Sequence, residues 1–541
     1  MSFVSIAVVA ACIAAVMLRR VSPRTMSMLD ARWAPVVVGL LWAVLPFLVW
    51  RAATPMPLDH DEAAYLLQAQ IFAMGRWASP ALPMPAFFGQ AHVLTTPVLA
   101  SKYFPGHSLL LTLGVWLGAP SLIVFLLNAA RAGLVFALAR RLSDGVTALL
   151  TVILMYLGND QARFSSSYYS ELTSGLTLVA AWWCLWRWRD TRQLGWLLGV
   201  AFALGWCAIT RPWSAVAFAL PIAVVVLRDT WRERRWRDLA AAMAVGTCIV
   251  AIVPLWSWRT LGDWKRLPQM EYSRDYMPFD YPHFGVTDAK PLLTPPPDVA
   301  AINVSLLDAE RAHTLANLPA DALKRVRAMW RASFPPPQLA FATMMVLGLV
   351  VLPAAGWFGV VTLVAAFAAY LAHPTWPEWT VYYLEVTPVV VFLAALGLSG
   401  MFRVLAAEWT GRAWRTAPRT AIAGLVCCAL LLPAMLDTAA IARGWLLAAT
   451  YERRQFEARV AQLPQQPAIV FVRYGEHHSP HRSLTVNRAD WQHAPAWIVY
   501  EMGPESQKLV DLAPERHPYI YDQESGRFMD VRRPVREQAN R

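Results

Sequence analysis

Apolar runs of roughly 15–25 residues recur along this chain, and short arginine-rich stretches separate them. "APVVVGLLWAVLPFLVW" (34–50) is one such run; "LRRVSPR", "RWRDTR" and "RDTWRERRWRD" are three of the separators. Of the 541 residues, 57% are hydrophobic and only 16% charged, and the mean hydropathy is +0.38. A water-soluble fold of this length needs more polar surface to cover its core. The fold class that remains is a polytopic α-helical membrane protein, in which lipid takes the place of water around the helices.

The net charge of +12 has a simple source. The arginines cluster between apolar runs, where the positive-inside rule puts them. No zinc-finger, RNA-binding or helix-turn-helix pattern accompanies them, so nucleic acid is excluded as a partner. The six cysteines (Cys12, Cys184, Cys207, Cys248, Cys427 and Cys428) all lie within apolar runs and read as small hydrophobes. The first segment, "SFVSIAVVAACIAAVMLRR", carries its charges after its apolar core; a cleavable signal carries them before. It reads as a short first helix ending in the cytoplasm.

With the arginine clusters as inside markers, the chain threads the membrane about twelve times. Two long segments, 51–107 and 258–337, fall on the outer side, as do "NDQARFSSSYYSE" (159–171) and "HPTWPEWTVYYLE". The carboxylate-rich loops therefore collect on one face. Residues 1–445 read as the transmembrane domain. Residues 446–541 change character: "AIVFVRY", "AWIVY" and "YIYD" have strand composition and "PESQKLVDLA" has helical spacing, which predicts a small soluble α/β module on the outer face.

"LDHDEAAYLLQAQ" (58–70) places Asp59, Asp61 and Glu62 just past the run 33–50. Acids at a helix start serve as caps and suit the helix dipole. A carboxylate at the membrane surface equally suits a general base for an acceptor hydroxyl or amine. In "SKYFPGHSLLL", Lys102 stands beside Tyr103 and near His107. Its ammonium is a compact charge for a phosphate oxygen, or a snorkelling headgroup anchor. Arg211 in "TRPWS" suits a bidentate phosphate contact or an interfacial anchor, and Arg163 and Arg259 share that ambiguity. Tyr168, Tyr169 and Glu171 begin a helix, where Glu171 orients an acceptor, pairs with an arginine, or caps. Glu378, Tyr382, Tyr383 and Glu385 fall on the same side, where an aromatic girdle is expected. "EHHSPH" (476–481) joins three histidines to a carboxylate but lacks a helical i, i+4 ligand pair, so a solvated loop is the expectation rather than zinc.

Taken in order and on one side, "DHDEAAYLLQAQ", "SKYFPGHSLLLTLGVWLGAP", "SSSYYSELTSGLTL", "TRPWSAVAFALP" and "YYLEVTPVVVFLAALGL" resemble the GT-C superfamily of integral-membrane glycosyltransferases. More narrowly, they are similar to bacterial relatives of protein O-mannosyltransferases and of the lipid A aminoarabinose transferase. The resemblance covers roughly residues 55–400, with "YFPGH" standing where many relatives carry two consecutive prolines. It implies transfer of a sugar from a polyprenyl-phosphate-linked donor to a glycan, lipid or protein acceptor, on the periplasmic face of an inner membrane. Asp61 matches the loop acid that acts as base, with Glu62 beside it, and Lys102 falls in the segment that helps hold donor phosphate in some relatives. Arg211 and Arg163 are the further phosphate candidates, and Asp59, Tyr103, His107, Tyr168, Glu171, Arg259 and Tyr382 the expected pocket. The expected reaction is inverting and needs no cofactor, with no metal ligands assigned; a divalent metal stays open. The rival reading, a transporter or lipid flippase, predicts ionisable residues near the bilayer midplane and paired halves; here the acids gather in outer loops.

Overall fold

The computed structural model describes residues 28–52, 56–335, 338–410 and 416–532. The expected first helix, within residues 1–19, lies outside them. Among the described residues, seven helices are long and apolar enough to cross a membrane: Ala34–Arg51, Pro120–Leu142, Pro212–Glu233, Trp236–Leu261, Ala354–Leu371, Thr387–Val404 and Ile422–Ala461. An eighth crossing results if Leu318–Ser333 and Gln338–Val350 count as one broken span. The chain is a polytopic helical membrane protein, with fewer full-length spans among the described residues than the expected twelve. Apart from the first helix, which lies outside the described residues, the difference is one of length and charge. Gly145–Leu157 and Leu194–Ala208 are apolar but have 13 and 15 residues, about 20 and 22 Å of helix against a hydrocarbon core of about 30 Å. Glu171–Thr191 is long enough but carries Arg187, Arg189 and Asp190 near its end.

The described chain divides into two compact units. The first comprises Met1–Pro55, Ser121–Ala251 and His313–Trp445 and holds most of the spanning helices. Helices Gln338–Val350 and Thr387–Thr410 pack closely here. A Cβ added at Gly348 would collide with the Leu393 carbonyl, and one at Gly397 with the Met344 carbonyl. Small residues at such crossings let backbones approach and gain dispersion contacts, which matter most where lipid supplies no hydrophobic drive. Leu41, Val224 and Val364, on three of the spanning helices, are exposed, as lipid-facing side chains are.

The second unit comprises Met56–Pro120, Ile252–Ala312 and Leu446–Arg541. Its segment 56–120 is built of regular elements, the expected helix after Asp59 among them. It forms helix His60–Ala73, then strands β1 (Ser79–Pro80), β2 (Val93–Leu94) and β3 (Val98–Ser101), then helix Pro105–Trp116. β3 lies between β1 and β2, antiparallel to both. The C-terminal strands fall where their composition predicts: β4 (Ala468–Arg473), β5 (Ala496–Tyr500) and β6 (His517–Asp522), with a further β7 (Arg527–Asp530). The sheet order is β5-β4-β6-β7, with β4 parallel to β5 and β6, and β7 antiparallel. Helix Ser506–Leu512 connects β5 to β6.

One apolar core joins these pieces. Ala64, Leu67 and Ile71 of helix His60–Ala73 cluster with Phe87, Phe88 and Leu99, and with Ile469, Phe471, Trp497 and Val499 of the C-terminal sheet. Each fully buried side chain of this size contributes about 1.5–3 kcal/mol. The sheet therefore holds the helix whose first turn carries Asp61.

Candidate functional site

Helix His60–Ala73 begins with Asp59 in the N-cap position, in extended backbone (φ −106°, ψ 165°). This start fixes the directions of the next three side chains. Glu62 turns back and accepts a hydrogen bond from the Leu58 backbone N–H (3.3 Å), a capping contact. Asp61 points elsewhere. Its carboxylate accepts a hydrogen bond from the Tyr103 hydroxyl, and lies 3.0 Å from His60 Nδ1 and 3.7 Å from His92 Nε2. The Asp61 side chain retains 26% exposure, against 8% for His60, so the carboxylate is the reachable member of the group.

The β2–β3 hairpin delivers the other residues. The Lys102 backbone N–H donates to the His92 carbonyl (3.0 Å), and His92 takes up a left-handed conformation (φ 64°), unusual for a side-chain-bearing residue and worth about 1–3 kcal/mol of strain. Its own N–H donates to the Tyr272 hydroxyl (2.9 Å). The Lys102 ammonium lies 5.3 Å from the ring centroids of both Tyr103 and Tyr272 and pairs with Asp280 at 2.6 Å. Tyr103 thus touches both candidates: its hydroxyl binds Asp61 and its ring faces the ammonium. Tyr65 stacks on Tyr103 at 4.5 Å, and the buried His107 meets Tyr65 edge-on at 5.1 Å, forming the layer beneath.

The electrostatics follow from these contacts. Burial pushes the Asp61 carboxyl up, but His60, His92 and the Tyr103 hydrogen bond outweigh it and hold the group well below the usual carboxylate range. Burial pushes His60 down, yet Asp61 leaves it raised. Burial, with Lys102 adjacent, drives His92 well below the ordinary histidine value. Burial and then Asp61 hold the Tyr103 phenol well above its ordinary value. At neutral pH the unit holds an ionised carboxylate, a neutral His92 and a protonated tyrosine. His60, Asp61 and His92 offer ligand atoms within 4.8 Å of one another, a donor set suited to a divalent cation.

The segment 476–481 departs from the solvated loop expected of it. His481 Nδ1 meets His60 Nε2 at 2.8 Å, and His478 meets Asp298 at 2.7 Å. Both histidines are docked within the second unit. His60, His92, Tyr272 and Asp280 were not among the sequence candidates, and the sequence places His481 in a solvated loop. His60 stands between the two acids of "DHD" and was open to inspection; the others have no local spacing that marks them. Arg259, in the same unit, is exposed and beside Trp258.

The remaining candidates lie in the first unit. Arg211, at the N-cap of Pro212–Glu233, contacts Glu171 (2.6 Å) and Glu385 (3.0 Å) and donates to the Tyr370 hydroxyl (2.9 Å). Glu385 also accepts from Ser214 at 2.7 Å and from Ser174. A phosphate at Arg211 would have to displace a carboxylate already in place. Tyr382 lies 5.7 Å from the Arg211 guanidinium. Arg163 stacks on Trp445 at 3.6 Å, and Tyr168 is buried edge-on against Trp50. Asp160, absent from the sequence candidates, accepts a hydrogen bond from Thr380.

Long apolar helices, the helix-and-strand segment 56–120 and a small C-terminal sheet together make a fold that a solved structure shares. Among solved structures, the chain is similar to ArnT from Cupriavidus metallidurans bound to undecaprenyl phosphate, with a TM-score of 0.52 and 15% identity over 92% of this chain and 91% of that one. It also matches that protein in the apo state (TM-score 0.48, 14% identity, 88% of each chain). A further match is the archaeal oligosaccharyltransferase AglB from Archaeoglobus fulgidus in complex with an inhibitory peptide and a dolichol-phosphate (TM-score 0.35, 12% identity, 81% and 62%). No protein-family model matches the sequence, and no curated protein does.

Proposed function

We propose that this protein transfers a sugar from a polyprenyl-phosphate-linked donor to an acceptor on the periplasmic face of the inner membrane, with Asp61 as proton acceptor and Lys102 as anchor for the donor phosphate. The observation that carries the reading is the meeting of an ionised, partly reachable carboxylate and a buried ammonium at Tyr103. The shared fold with ArnT, whose structure holds undecaprenyl phosphate, supports the lipid-linked donor.

The step balances as an inverting displacement. The acceptor oxygen or nitrogen forms a bond to the anomeric carbon while the bond from that carbon to the phosphate oxygen breaks, its electron pair leaving with the prenyl phosphate. The acceptor proton goes to Asp61. A carboxylate held so far below its ordinary value is a weak base early in the reaction, so it accepts the proton late, once the new bond has made the acceptor hydroxyl acidic. Lys102 offsets the charge that grows on the leaving phosphate. His60 and Tyr103 keep the Asp61 carboxylate aimed. A glycan, lipid or protein hydroxyl or amine fits the acceptor role.

The test is D61N expressed in a deletion strain, read by mass spectrometry of envelope glycans and lipid-linked sugars. The expected result is a folded, membrane-inserted protein, accumulated donor and no product. Normal product formation by D61N removes Asp61 from the chemistry.

A further inference from the structure

We infer that Asp280 is a displaceable counter-ion, holding on Lys102 the place the donor phosphate takes, and so setting how tightly the protein holds its donor and how readily it releases prenyl phosphate. The inference rests on the reading of Lys102 as the phosphate anchor.

Lys102 has contacts besides Asp280. Its backbone is fixed to His92 in the β2–β3 hairpin, and two tyrosine faces flank its ammonium at 5.3 Å. The ammonium stays in place when its anion changes. Asp280 is the more exposed partner: its side chain is 21% exposed against 4% for Lys102. It follows the buried Met277 and Phe279, and its N–H donates to the Met277 carbonyl (3.0 Å). From Tyr281 onward the segment is largely exposed, with Tyr281 at 45% and Phe284 at 40%. The carboxylate sits where a buried segment gives way to a more exposed one.

A carboxylate and a phosphate diester each present singly charged acceptor oxygens, and an ammonium, as a point charge, accepts either. A buried ammonium with no anion is costly, so Asp280 keeps the site neutral between turnovers. Two anions on one buried cation leave an excess negative charge, so the phosphate and Asp280 compete. Competition scales apparent donor affinity down to the fraction of time the carboxylate leaves the site free, and it returns an anion to Lys102 as prenyl phosphate leaves.

The test titrates undecaprenyl phosphate into the full chain in nanodiscs, following intrinsic tryptophan fluorescence, for the wild type, D280N, K102M and the double variant. D280N is expected to tighten binding about tenfold, K102M to lose most binding, and the double variant to bind no better than K102M. In turnover, D280N should lower KM and raise product inhibition by undecaprenyl phosphate. Asp280→Glu, which keeps the competing charge, should behave like the wild type; Asp280→Ser carries the D280N expectation if the amide variant does not fold. If K102M loses binding while D280N or Asp280→Ser binds no more tightly than the wild type, the counter-ion role is wrong and the anchor stands. If K102M binds like the wild type, the phosphate anchor itself is wrong.

Discussion

Replacing Arg211 with alanine separates two accounts of this residue by their magnitudes. In the fold, its guanidinium faces Glu171 and Glu385, with side-chain exposures of 13%, 4% and 1%. Solvent screening at these depths is slight. Removing the cation leaves two buried carboxylates in one small space, and breaking a buried pair by deleting one partner costs about 3–5 kcal/mol. Glu385 keeps hydroxyl donors from Ser214 and Ser174, which favours the lower end of that range. The cost should fall when the excess charge is removed as well: R211A/E385Q should recover part of the loss, and the double-mutant cycle should give a coupling of about 1–3 kcal/mol. Reversible unfolding of the purified protein in mixed micelles measures all four members of the cycle. A loss below about 1 kcal/mol in R211A, together with loss of undecaprenyl phosphate binding, would refute the clamp and return Arg211 to the phosphate role that its sequence context suggested.

Further expectations follow from the second unit. Y103F keeps the ring stacked on Tyr65 but removes the hydrogen bond to Asp61. Because that bond helps depress the carboxyl, the acid limb of the pH–rate profile should move to higher pH; an unmoved limb contradicts the assignment. The sign for stability agrees: a depressed carboxyl stabilises above its unfolded value of about 3.9 and loses that contribution as pH falls through the folded value. His60, raised by Asp61, contributes fully below its unfolded value near 6.5 and loses this as pH climbs through the folded value, so H60Q should flatten stability on the alkaline side. Trp497→Ala, in the core shared with Leu67 and Phe88, should cost about 3–5 kcal/mol and expose the 56–120 segment to limited proteolysis; unchanged cleavage argues against a shared core. Chelation with EDTA should leave turnover within about twofold, since Tyr103 and His60 already engage both Asp61 oxygens; a loss that zinc restores would assign the cation to His60, Asp61 and His92.

What the sequence disclosed and what it withheld divide along a physical line. Spans such as Pro120–Leu142 and Thr387–Val404 are written in local hydropathy, and β4 to β6 in local strand composition, so both are legible residue by residue. The helix start at Asp59–Glu62 and the Lys102–Pro105 turn are likewise local. The partners of these groups are not. Lys102 meets Asp280 across 178 positions, and His60 meets His481 across 421; no period or motif links residues that only the tertiary fold brings together. The same holds for Arg211: its place at a helix end beside Pro212 is legible, but the carboxylates that occupy it come from two other segments.

The most direct measurement is a single-turnover assay in proteoliposomes carrying polyprenyl-phosphate-linked sugar, following release of prenyl phosphate with D61N and K102M beside the wild type. The wild type should release prenyl phosphate in step with product. D61N should bind donor but turn over at least about 10³-fold more slowly, and K102M should fail chiefly in donor binding. Wild-type rates from both variants would contradict both assignments.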